Sequence, residues 1–159
     1  MGGVQTEWTS FFAKLIRDFL IASNAATTGI PVNATLPKVM QDETAKVARP
    51  CVVVTGVQEE SEISRLVKIK VTVELKTMTG PDSALPVTAA EWMAAIETRL
   101  RDVVGFYTWV AALAQSRREN WMFVKAPRVG VVELEVDEEA HTQSRMLGVQ
   151  LSVFTERPV

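Results

Sequence analysis

Val67-Lys68-Ile69-Lys70-Val71-Thr72-Val73-Glu74-Leu75-Lys76 is the stretch whose reading decides the fold. Val67, Ile69, Val71, Val73 and Leu75 take every second position, with Lys68, Lys70, Thr72, Glu74 and Lys76 between them. Successive side chains of a strand point to opposite faces, so the segment is a long strand with one dry and one charged face. Upstream, Pro50-Cys51-Val52-Val53-Val54-Thr55-Gly56-Val57 is a β-branched run opened by a proline, where a missing N–H donor is tolerated. Gln58-Glu59-Glu60-Ser61-Glu62 is the expected polar hairpin loop joining the two strands.

Downstream, Thr79-Gly80-Pro81-Asp82-Ser83 is a turn cluster. Thr88 and Glu91 have the spacing of a capping box, which satisfies two orphan N–H groups at a helix start. Met93, Ile96, Leu100 and Val103 give that helix its apolar stripe, Glu97, Arg99, Arg101 and Asp102 its wet side, and Gly105 its expected stop. Phe106–Ala114, with Trp109, Val110 and Leu113, is expected as a further short helix. Trp121–Val124 reads as a strand interrupted by Pro127. Val132, Leu134 and Val136 alternate with Glu133 and Glu135, and Leu147, Val149, Leu151 and Val153 with Gly148, Gln150 and Ser152. The loop between these two runs is Asp137–Thr142.

At the other end, Trp8, Phe11, Phe12, Leu15, Ile16, Phe19 and Leu20 recur at spacings of three and four, the stripe of an amphipathic helix over residues 1–23. Residues 24–49 hold no sustained period and read as an irregular connector in which Leu36, Val39 and Met40 pack as a short turn. Residues 50–159 form the core. The order is then helix, two strands, helix, two strands. Short connections make both strand pairs hairpins. The expected architecture is one α+β domain over 1–159: a mainly antiparallel sheet of about four strands packed against two main helices in two layers.

Composition narrows the functions. The chain has 159 residues, 47% hydrophobic and 23% charged, with a formal net charge of -2. That length buries a full core without a metal or disulfide staple, and that charge excludes a strongly basic nucleic-acid binder. One cysteine, Cys51, and one histidine, His141, exclude every site that needs two of either. No run approaches the roughly 20 apolar residues of a membrane span. The opening residues lack a basic n-region, so cytosolic synthesis is expected. There is no Gly-x-Gly and no phosphate-binding glycine loop. Cys51 lies in an apolar strand and His141 in an acidic loop, so no catalytic pair, metal site or cofactor is expected.

The charged residues offer an interface instead. Lys68, Lys70, Glu74 and Lys76 on the wet strand face are the expected counterpart of Glu133 and Glu135 on a neighbouring subunit. The alternative is a solvated face that discourages edge pairing. Trp8 and Phe12 belong to a stripe that reads as core-facing, with part of it a candidate to dock on a neighbour. Four tryptophans, Trp8, Trp92, Trp109 and Trp121, add candidates for such contacts. Asp137, Glu138 and Glu139 form an acidic loop, read either as a solvated hairpin tip or as a surface that repels a passing phosphate backbone.

The sequence of elements, from the N-terminal helix through Arg49-Pro50-Cys51-Val52-Val53-Val54, the strand Arg65–Thr77, the helix Thr88–Val104, Trp121–Lys125 and the closing hairpin Gly130–Glu156, resembles the tail terminator, or tail completion, proteins of long-tailed bacteriophages. The resemblance implies a virion protein assembled in the host cytoplasm. It implies a homo-oligomeric ring, usually a hexamer, that caps the tail tube protein, meets a neck or head-completion protein and lets DNA pass without binding it specifically. A neck or tube-like subunit is the alternative within that class. A small cytosolic α+β enzyme or ligand-binding module is the alternative outside it.

Overall fold

The alternation centred on Val71 forms the middle of a sheet. The computed structural model describes residues 2–22, 37–41, 49–59, 65–78 and 89–155, with side chains from Trp8 onward in the first segment. These residues form α1 (Gly2–Ala22), β1 (Lys38–Gln41), β2 (Cys51–Glu59), β3 (Leu66–Met78), α2 (Ala89–Arg101), α3 (Val103–Ala111), α4 (Gln115–Arg118), β4 (Trp121–Phe123), β5 (Arg128–Val129), β6 (Glu133–Asp137) and β7 (Thr142–Thr155). The protein is α+β, as expected. Its sheet is larger than four strands: seven among the described residues, in the order β1-β2-β3-β7-β4, with β5 and β6 also on β7.

The sheet is also mixed, because β1 runs parallel to β2 while every other pair is antiparallel. Val39 and Met40, expected in a turn, lie in β1. Four residues are too few to show a period. Gln41 Nε2 donates to the Ser10 carbonyl at 3.0 Å and to Ser10 Oγ at 2.9 Å, which ties this edge to α1. Residues 24–36 and 42–48 of the connector, residues 60–64 after β2, the turn cluster at 79–83 and Thr88 of the capping box lie outside the described residues.

The dry face follows the alternation closely. Val67, Ile69, Val71, Val73 and Leu75 are all fully buried. The register sets Val67 opposite Val153, Ile69 opposite Leu151, Val71 opposite Val149 and Val73 opposite Leu147. One core joins these residues to α1, α2 and Phe106 of α3. Each large apolar side chain removed from water contributes about 1.5–3 kcal/mol, which sums to the main force holding helices on sheet. Gly56, on the dry face opposite Val71, lets α1 approach β2: a Cβ there would stand 2.9 Å from the Thr9 carbonyl oxygen.

Trp8 and Phe12 are corrected by this packing. They are 7% and 0% exposed, so they serve the chain's own core and are not free to dock on a neighbour. Trp92 is buried as well, and Trp109 and Trp121 pack against the core. A chain of ring contacts runs from Phe12 to Trp121 at 5.1 Å, Trp121 to Phe123 at 5.1 Å, Phe123 to Phe106 at 5.6 Å and Phe106 to Phe19 at 5.0 Å. Edge-to-face and tilted pairs of this kind add to simple area burial. Arg99 lies 3.9 Å over the Phe19 ring. Burial lowers its pKa, and the Asp102 carboxylate opposes that shift.

The second helix stops earlier than expected. It ends at Arg101, and Asp102 starts α3 by accepting the Gly105 N–H at 3.0 Å. Gly105 therefore sits in the first turn of α3 rather than at a stop. α4 holds the next corner: Arg117 donates to Asp18 of α1 at 2.8 Å.

Candidate assembly interface

The face of the sheet away from the helices is where the expected charged residues gather. Register places Val57, Lys70, Gln150 and Arg128 in one row across β2, β3, β7 and β5. Further along, Val53, Glu74, Met146 and Glu133 make a second row, and Cys51, Lys76, Ser144 and Glu135 a third. Thr142 and Asp137 close the ladder. Charge on this face is thus segregated. Lys68, Lys70 and Arg128 hold one end, and Glu74, Glu133, Glu135 and Asp137 hold the other, about 13 Å away from Lys70 to Glu74 at strand spacing.

Lys76 stands among the acids and is only 8% exposed, so it is not the open cation that the wet face implied. Lys68, Lys70, Arg128, Glu133 and Glu135 are exposed. The ion pairs Arg17–Asp18, Arg99–Asp102, Arg101–Glu97 and Arg117–Asp18 among the described residues lie away from Lys68, Lys70, Arg128, Glu133 and Glu135. Lys68, Lys70 and Arg128 leave the basic end open, while the acidic end shares its depression with Arg49 and Lys76 of the same chain.

The far edge of the sheet is one interrupted strand. β6, β5 and β4 pair in turn with successive parts of the 14-residue β7. Arg101 of α2 clamps the interruption, donating to the Val129 carbonyl at 3.3 Å and the Gly130 carbonyl at 2.8 Å. That clamp positions Arg128. Beside it lies a groove of about 420 Å³, walled by Lys70, Thr72, Arg128 and Gln150 over Gly148, with Glu133 toward its acidic end.

Val132, Leu134 and Val136 were expected to bury a dry face. Leu134 and Val136 are instead 55% and 54% exposed, because no described helix covers this part of the hairpin. Val131 is also exposed. At the hairpin's tip Asp137 Oδ1 accepts the Ala140 N–H at 3.1 Å, His141 takes a left-handed φ of 54°, and Glu138 and Glu139 are exposed at the rim of a depression that Arg49 and Lys76 also line. On the open sheet face Val57 and Met122 are each 63% exposed and Phe154 is 42% exposed, with Met122 directly opposite Phe154. Exposed apolar groups among unpaired charges are the ordinary composition of a contact surface.

Arg128, Gly148 and these apolar residues were not singled out from sequence. Arg128 was hidden by a change of phase: the stretch from Arg128 to Glu133 is one residue longer than the stretch from Met146 to Gln150 that it faces. Simple alternation would have put Arg128 on the helix side.

Other chemistry is not assembled on the described residues. Cys51 is buried in β2 while His141 lies in an exposed turn. No three His, Cys, Asp or Glu side chains converge as a metal-binding group among the described residues. No described helix is long and apolar enough to cross a membrane. No protein-family model matches the chain, and no curated protein sequence does.

Proposed function

We propose that the chain is a structural subunit of a long-tailed phage. In this reading it is a tail terminator whose copies join head to tail into a ring, six on the pattern of the proteins it resembles. The ring caps the tail tube and presents a surface to the neck. The observation that carries the proposal is the open sheet face with its exposed basic and acidic groups gathered at separate ends. A surface with its two charges separated matches a second copy of itself when that copy is displaced along the face. Repetition of one such displaced contact builds a ring if the rotation closes. Charge sets orientation and partner choice. The exposed apolar residues Val57, Met122 and Phe154, with Leu134 and Val136 on the hairpin, supply area to bury.

Light scattering on the purified chain, alone and mixed with tail tube protein, tests the proposal. A closed oligomer that loosens as salt is raised is expected, because exposed charges are screened within about 10 Å at 0.1 M salt. A monomer in both settings at every salt concentration contradicts it.

A further inference from the structure

We propose that the acidic turn between β6 and β7 of one copy seats in the groove between Lys70 and Arg128 of a second copy. This contact deepens the head-to-tail reading above and rests on it. The groove is built for an anion. Gly148 forms its floor, and the stem of Lys70 lies across that residue: a Cβ at position 148 would stand 2.9 Å from Lys70 Cε and 3.9 Å from Nζ. Lys70 and Arg128 flank Gln150 on either side, so their backbones stand two strand spacings apart, about 10 Å. Thr72 and Gln150 add hydrogen-bond donors within the same walls. Carboxylates held between such groups make charge-assisted hydrogen bonds, stronger than neutral ones.

The turn supplies the matching carboxylates. Glu138 and Glu139 are exposed and follow Asp137, the last residue of the ladder. The tip cannot reach its own groove. Gly148 lies six positions beyond Thr142 along β7, about 20 Å at strand rise, and pairing with β6 holds the hairpin straight. The occupant is therefore another copy. Glu133 at the near wall repels an incoming carboxylate and directs it toward the Lys70–Arg128 end. The acidic tip thereby grips a neighbour rather than repelling DNA.

A charge swap with repair tests this. Glu138→Lys with Glu139→Lys should raise the concentration for half-assembly by about 100-fold, since like charges placed face to face cost several kcal/mol. Lys70→Glu with Arg128→Glu should do the same, and mixing the two variants should restore assembly. Circular dichroism on each variant confirms that it folds. Repair that yields a two-fold dimer keeps this contact and overturns the ring. A ring indifferent to either swap keeps the ring and overturns this contact. Disruption by the Lys70 and Arg128 changes alone, without effect or repair from the turn, assigns the groove to another partner and overturns the turn as its occupant. A wild-type monomer under all conditions overturns both.

Discussion

Lys70 lies across Gly148, so close that a Cβ on residue 148 would stand 2.9 Å from Lys70 Cε. The far end of a lysine moves easily, so Gly148→Ala should leave folding within about 1 kcal/mol of the wild type. It should lift the ammonium off the groove floor and weaken self-association several-fold. Denaturant unfolding beside light scattering separates the two effects. Loss of stability without loss of association would show that Gly148 serves the fold alone.

Gly56 is the opposite case, because its obstacle is backbone. A Cβ there would stand 2.9 Å from the Thr9 carbonyl oxygen, and α1 must move to make room. Gly56→Ala should cost about 1–3 kcal/mol, net of the unfolded-state entropy it removes. A lowered midpoint in denaturant, with unchanged slope, is the expected result.

Phe12 and Leu134 should behave in reversed ways. Phe12 is fully buried, and Phe12→Ala should cost about 3–5 kcal/mol of folding stability. Leu134 and Val136 are more than half exposed, so Leu134→Ser with Val136→Ser should change stability by about 0.5 kcal/mol at most while weakening assembly. Thermal unfolding and particle size, measured on the same samples, check the pair of outcomes.

Cys51→Ser should leave assembly intact because the thiol is buried in β2, and His141→Ala should weaken assembly far less than the changes at Glu138 and Glu139 because it removes no carboxylate from the turn. Light scattering on each variant measures this. Failure of assembly in a folded variant would point to chemistry at that residue.

The long strands could be read directly because many residues repeat one rule. β3 alternates from Val67 to Leu75 and β7 from Leu147 to Val153, and every apolar residue of those two runs is buried, with Ser152 buried out of phase and Lys76 buried just beyond. Shorter elements could not be read so. β1 has four residues, and its parallel pairing leaves no local mark. The apolar stripe of α2 leads on to Val103, so it hid the break at Asp102, which depends on one capping carboxylate. Periodicity shows that a face is apolar but not what covers it. The stripe holding Trp8 and Phe12 therefore reads as core-facing yet leaves part of it open as a contact, and Leu134 and Val136 read as buried. The charged residues of the open face could be read on β3 and β6. Their grouping into two ends depends on register between strands distant in sequence, and on the extra residue between Arg128 and Glu133.

Imaging of the particles formed by the wild-type chain tests the central claim most directly. The account predicts closed rings whose subunit contacts set Lys68, Lys70 and Arg128 of one copy against the β6–β7 hairpin of the next. Single copies at every concentration, or rings joined through surfaces that leave this sheet face bare, would contradict it.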